Sequence, residues 1–297
     1  MLDEFKSAFQ RPNNAHVQLI IINVTIFIVI GVFSVIGEIS GATAFSDFLY
    51  NQFTIPPTLA EYIGRPWTLI TYMFAHSRWD IFHILFNMLV FYWFGRIFVE
   101  YLGSDKLVAL YVLGGLVGGL LYLLMFNTVP YYIERSGFSG MVGASAAVYA
   151  IVVATATLLP NYTFFLLFFG PVKIKYIAGF YVVISFLGTT QANAGGNIAH
   201  LGGALMGFIY LKQLQAGVNW GSWITITLDW LKDLFRSKPK VKVTYRNEES
   251  KPKKAVKVPL SKTSQDEIDA ILDKISERGY ESLSKEEKEK LFNASKK

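Results

Sequence analysis

Polar positions are scarce over the first 214 residues of this chain, and the apolar runs between them define its elements. Six runs stand out: roughly His16 to Ile36, Ile81 to Val99, Lys106 to Phe126, Val142 to Leu159, Ile174 to Leu187 and Asn197 to Leu214. Each approaches the roughly 20 residues an α-helix needs to cross bilayer hydrocarbon, the fifth being the shortest. The pattern predicts an all-α polytopic membrane protein built as a six-transmembrane-helix bundle. The first run, "VQLIIINVTIFIVIGVFSVIG", is longer than the apolar core of a cleavable signal and reads as a retained anchor. Between the fourth and fifth runs, "NYTFFLLFFGPV" carries a Gly170-Pro171 pair that breaks helix and predicts an interfacial or re-entrant piece. The long connection from about Gly37 to Asp80 mixes aromatics with few charges, as a segment lying in the membrane interface does; aromatic anchoring alone explains the same pattern.

Composition agrees, since only 17% of residues are charged where a soluble domain carries nearer a quarter. The absence of cysteine excludes disulfides, thiolate metal sites and a cysteine nucleophile. The net charge of +6 divides into +1 for residues 1 to 214 and +5 for residues 215 to 297. A basic excess confined to a tail beside a membrane points to anionic lipid headgroups ahead of nucleic acid. Within the body, Lys6, Arg11, Arg96, Lys106, Lys173, Lys175 and Lys212 fall on one side of the six runs, against Arg65, Arg78 and Arg135 on the other. The excess of Lys and Arg predicts that both termini are cytoplasmic, and the cell (inner) membrane is the expected location.

The organisation predicted is a short cytoplasmic segment (1–15), the membrane domain (16–214), a basic flexible linker (215–262) and a C-terminal helical hairpin (263–297). Residues 232 to 262 hold eleven basic residues against three acidic ones and three prolines, which suits a linker at the membrane surface. In the hairpin, Ser264 is placed to cap a first helix and Gly279 to end it, and Ser284 with Glu287 has the capping-box spacing for a second.

Ionisable and polar groups inside membrane spans are costly and so are functional candidates. His83 and Asn87 lie four apart on the second run, Ser145 and Tyr149 four apart on the fourth, and His200 lies among Gly195, Gly196, Gly202, Gly203 and Gly207 on the sixth. Taken singly, each has a bland reading: an interhelical hydrogen bond, a packing serine, a structural histidine. With the N-terminus inside, however, these three spans all start at the outer face, so His83, Asn87, Ser145 and His200 fall in one layer. A serine with a neutral histidine as base, and amide and imidazole donors for an oxyanion, is a hydrolytic constellation. No carboxylate occurs in the fourth or sixth run, so a Ser-His dyad is expected in place of a triad.

"HILFNM", "GASAAVY" and "AHLGGALMG", in that order on alternate runs, strongly resemble the rhomboid intramembrane serine proteases. The resemblance covers roughly Gln18 to Leu214, and the hairpin is similar to tails of some Bacteroidota rhomboids. It implies Ser145 as nucleophile, His200 as base, His83 and Asn87 in the oxyanion hole, Tyr149 supporting the histidine, Gly143 before the serine, and Gly203 and Gly207 letting two helices close. It implies no metal or cofactor, and transmembrane protein substrates cut near their outer boundary. The chain departs from the family at Ala146, where glycine is usual and where Gly202 and Gly203 are expected to accommodate the methyl. Thr68 follows Trp67 where the family often has arginine, and His76 lies seven residues before His83, two more than the family spacing. A catalytically inactive relative that binds membrane proteins is the alternative reading; a solute transporter lacks an inverted repeat and an acidic coupling residue.

Overall fold

A computed structural model describes residues 11–135, 140–166, 169–235 and 262–295 of the chain. They form two compact units divided after Ser237. The first unit runs α1 (Ala15–Ser40), α2 (Thr43–Asn51), α3 (Leu59–Ile63), α4 (Thr68–Thr71), a 3-10 turn at Tyr72–Phe74, α5 (Ile81–Leu102), α6 (Ser104–Thr128), α7 (Pro130–Ile133), α8 (Ser145–Leu158), β1 (Thr163–Leu166), β2 (Gly170–Lys173), α9 (Ile174–Leu187), α10 (Ala194–Gln215) and α11 (Ser222–Phe235). Helices α1, α5 and α6 are long and apolar enough to cross a membrane, and α8 and α9 are shorter apolar helices.

The bundle closes around α8. Gly203 and Gly207 of α10 face the carbonyls of Ala146 and Ala150, and Gly114 and Gly118 of α6 face the methyls of Ala150 and Ala146. Small residues on both sides bring backbones into van der Waals contact, the means by which membrane helices gain packing where lipid offers no hydrophobic drive. The Asp80 carboxylate starts α5 by accepting the His83 N–H at 3.0 Å.

The connection from α1 to α5 is a platform more than a surface ribbon. Ile55, Tyr72, Met73, Ala75 and His76 are buried, while Phe45, Phe48, Trp67 and Trp79 stay exposed. The Tyr72 hydroxyl donates to the Gly115 carbonyl (2.6 Å), and Asn23 of α1 donates to the Tyr111 hydroxyl (3.0 Å), which donates to the Met73 carbonyl (2.5 Å). Ile55 and Met141 exchange two backbone hydrogen bonds of 2.9 Å, and Gly143 N–H donates to the Tyr72 carbonyl at 3.1 Å. The chain entering α8 is thereby strapped to this platform.

Two expectations change. The "NYTFFLLFFGPV" stretch contains an antiparallel pair, Thr163 opposite Lys173 and Leu166 opposite Gly170, so the fold is not wholly helical. The stretch is apolar without alternation, and only Gly170 at φ 69° signals its turn back. The expected linker contains α11, which follows the Ala216–Gly221 turn; Ile224 is buried on it, while Trp223, Ile226, Trp230 and Leu234 face outward. The rest of that linker, 236–261, lies outside the described residues, as does residues 1–10 of the N-terminal segment.

The second unit is α12 (Lys262–Arg278), a 3-10 turn at Tyr280–Ser282 and α13 (Lys285–Ser295). The Ser284–Glu287 capping box forms in both directions: Glu287 N–H donates to Ser284 Oγ (3.3 Å), and Ser284 N–H to Glu287 Oε2 (2.7 Å). The Lys274 ammonium reaches both carboxylate oxygens of Glu287, at 2.8 and 3.0 Å, and pulls its pKa down to about 2.

Candidate active site

Ser145 is the first residue of α8 and is half-buried. Ala144 is the N-cap of this helix, which reaches back no further because Gly143 holds φ at +141°, a region closed to most side chains. As the first residue, Ser145 leaves its backbone N–H, and those of Ala146 and Ala147, without intrahelical partners, and they carry the positive end of the helix dipole. A methyl built on Gly143 would lie 3.2 Å from His83 Nε2 and 3.5 Å from Ser145 Oγ. The glycine therefore keeps open a gap bordered by a hydroxyl and an imidazole nitrogen.

The other polar residues converge on the same place. His83, Asn87, Ser145, Tyr149 and His200 all line one open cavity of about 1240 Å³. Asn87 Nδ2 donates one hydrogen to the His83 carbonyl one turn back (2.8 Å), which leaves its second hydrogen for the cavity. His200 stacks on Tyr149 with ring centroids 4.2 Å apart and planes 12° from parallel. Its Nδ1 lies 3.1 Å from Ser185 Oγ, which donates to the Tyr149 hydroxyl at 2.9 Å. Among the described residues, Ser145 Oγ makes no hydrogen bond to His200. A nucleophile–base hydrogen bond is often long in a free enzyme and tightens on substrate, so the lack of one here leaves both roles available.

The rhomboid domain family matches residues 64–215, about half of the chain. The chain belongs to the rhomboid family. Residues 261–297 match a second family described only as of unknown function. This rhomboid is 32% identical over 209 residues to the mitochondrial RHOMBOID-like protein 12 of Arabidopsis thaliana, covering 67% of the chain and 58% of that protein. It is 27% identical over 172 residues to an uncharacterized mitochondrial rhomboid protein of Schizosaccharomyces pombe, covering 42% of each. It is 27% identical over 160 residues to rhomboid protease GlpG of Haemophilus influenzae, covering 52% of the chain and 72% of that protease. The chain spans about half the length of the two mitochondrial relatives. Family membership and the apolar helices make it a multi-pass membrane protein.

One sequence expectation about this rhomboid is corrected. The Ala146 methyl is not housed by Gly202 and Gly203. It points at Gly118 of α6, where an added methyl would come within 2.6 Å of it, while Gly203 faces the Ala146 carbonyl and Gly202 faces Gly118. The cause is the direction of Cβ on α8: the methyl leaves toward α6 and the carbonyl toward α10. Two residues were not singled out or assigned by sequence. Ser185 is a single serine in an apolar run, which on sequence alone reads as back-bonding to its own helix. His76 is buried with its ring edge on His83, centroids 5.2 Å apart, and its neighbours cannot be read from spacing. Among the described residues no group of three or more His, Cys, Asp or Glu is placed to hold a metal.

Proposed function

We propose that this rhomboid is an intramembrane serine endopeptidase that cuts transmembrane protein substrates near the outer membrane boundary with a Ser145–His200 dyad. The observation that carries the reading is the convergence of Ser145, His200, His83 and Asn87 on one cavity. In the mechanism, His200 takes the Ser145 proton as the hydroxyl attacks the scissile carbonyl. The oxyanion forms beside the free N–H groups at the start of α8 and the donors of His83 and Asn87, and His200 returns the proton to the leaving amine. A neutral imidazole as base, with no carboxylate behind it, suits a site set in a bilayer, where a buried charge is costly.

The proposed topology has α1, α5, α6, α8, α9 and α10 as six spans with both termini cytoplasmic in the cell (inner) membrane. Arg96, Lys106, Lys173, Lys175 and Lys212 lie at the ends of these helices remote from the site, which supports that orientation. The hairpin lies on the cytoplasmic side in this reading, and the basic segment before it meets anionic lipid.

Cleavage of a labelled membrane-anchored substrate and labelling by a serine-directed activity probe test the catalytic assignment. Ser145→Ala and His200→Ala each lower cleavage by more than about 10³-fold, and Ser145→Ala abolishes labelling. Parent-like cleavage by Ser145→Ala overturns the dyad. Substrate capture without cleavage by the parent chain favours the inactive, substrate-binding alternative.

A further inference from the structure

Ser185 is fully buried on α9, yet its hydroxyl touches neither the cavity nor a backbone carbonyl of its own helix. It lies between two side chains of the proposed machinery, donating to the Tyr149 hydroxyl at 2.9 Å and standing 3.1 Å from His200 Nδ1. A serine hydroxyl has one hydrogen and two lone pairs. A base that takes the Ser145 proton at Nε2 must carry its own ring proton on Nδ1, and the 3.1 Å contact then makes Ser185 Oγ the acceptor and turns the Ser185 hydrogen toward the Tyr149 oxygen.

We infer that Ser185 is a positioning residue that selects the tautomer of His200, holding Nδ1 protonated and leaving Nε2 with its lone pair for the Ser145 hydroxyl. The inference rests on the protease reading and deepens it. Ser185 acts through the base and has no contact with substrate. It occupies the place that a carboxylate fills in a Ser-His-Asp triad, where losing the acceptor at Nδ1 leaves the wrong tautomer and a large fall in rate. A hydroxyl is a weaker substitute because it brings no charge to the imidazolium that forms during reaction. It is also cheaper to bury, since both its neighbours satisfy it. Tyr149 then does two things at once: its ring flanks His200, and its oxygen takes the Ser185 hydrogen that would otherwise turn toward Nδ1. Tyr149 of α8 and Ser185 of α9 thus fix the His200 ring of α10 in plane, in rotation and in protonation.

The test is magnetic resonance of the full chain, labelled with nitrogen-15 histidine and held in lipid nanodiscs, because protonated and bare ring nitrogens have well-separated shifts. The His200 signals are assigned by their absence from His200→Ala. The parent shows a protonated Nδ1 and a bare Nε2 at His200. Ser185→Ala moves the proton toward Nε2, and so does Tyr149→Phe, where the freed Ser185 hydrogen donates to Nδ1. In cleavage assays Ser185→Ala lowers kcat by about 10- to 100-fold with KM within about twofold. The double variant loses no more than the worse single one, as expected of groups acting in series. A parent His200 with a protonated Nε2, or a tautomer unchanged in both Ser185→Ala and Tyr149→Phe, overturns the inference. Should Ser185→Ala fail to fold, Tyr149→Phe decides alone. If Ser145→Ala cleaves like the parent, the protease reading fails by itself, while the nitrogen shifts still judge Ser185.

Discussion

Among the described residues, His76 sits in surroundings far from what its chemistry prefers. It is 1% exposed, both ring nitrogens lack a hydrogen-bond partner among the described residues, and burial together with the charge of His83 pushes its pKa from 6.5 down to about 3. The unfolded chain takes up a proton near pH 6.5, whereas the folded chain refuses it until about pH 3. The stability tied to neutral His76 is therefore complete above about pH 6.5 and is lost as the pH falls toward 3. One pH unit of mismatch is worth about 1.4 kcal/mol, so acidifying from pH 7 to 5 costs about 2 kcal/mol through this residue. Unfolding in micelles should show His76→Gln losing about 2 kcal/mol less than the parent over that interval; parallel losses would remove His76 from the account. The residues meeting at the site were legible in part. His83, Asn87, Ser145 and His200 stood out because polar groups in apolar runs are rare, whereas Ser185 and the housing of Ala146 depend on what a helix face meets. That is set by rotation about the helix axis, which six nearly uniform apolar runs do not encode.

Among the elements, α6, α8 and α10 set the tolerance of the bundle. An added methyl on Gly114 would collide with the Ala150 methyl and otherwise meets only ordinary contacts, the nearest at 3.4 Å. An added methyl on Gly118 would meet the Ala146 methyl at 2.6 Å and also the Ala199 carbonyl at 2.8 Å. The two glycines therefore differ in whether a partner can make room. Gly114→Ala lowers stability by about 1 to 3 kcal/mol, and adding Ala150→Gly restores it, because helix propensity changes by similar amounts in opposite directions. Gly118→Ala lowers stability too, but Ala146→Gly does not restore it, because the carbonyl of α10 stays in place. Double-variant cycles read from thermal unfolding check both statements, and equal rescue at the two sites contradicts the contact geometry. The sequence shows "GGLVGG" in α6 and "GG" in α10 plainly, so close helix approach was legible. Which alanine each glycine meets was not. The β-hairpin escaped for a different reason: Phe164 and Phe165 lie in an unbroken apolar run, so neither a period of 2 nor one of 3.6 emerges.

For the molecule as a whole, the division after Ser237 separates the residues lining the site cavity from the capped hairpin. The eleven-to-three charge ratio of residues 232 to 262, which run across that division, supports the proposed electrostatic task, attraction to anionic headgroups. A segment of residues 238–297 should sediment with vesicles containing anionic lipid at low salt and release from them at about 0.5 M salt, where the screening length falls to a few ångströms. Binding indifferent to both salt and lipid charge would contradict that task.

The strap of backbone hydrogen bonds from Ile55 and Tyr72 to Met141 and Gly143 also bears on when the chemistry becomes available. The start of α8 is set by partners more than 70 residues earlier in the chain, and His200 arrives 55 residues later. Contacts of such sequence separation close late, because the loop between them must be ordered first. A chain still being inserted carries the serine and the residues that set its helix start, but not yet the histidine. On the proposed protease reading, cutting ability therefore appears only once α10 is in place, and a half-built copy is harmless to the membrane proteins around it.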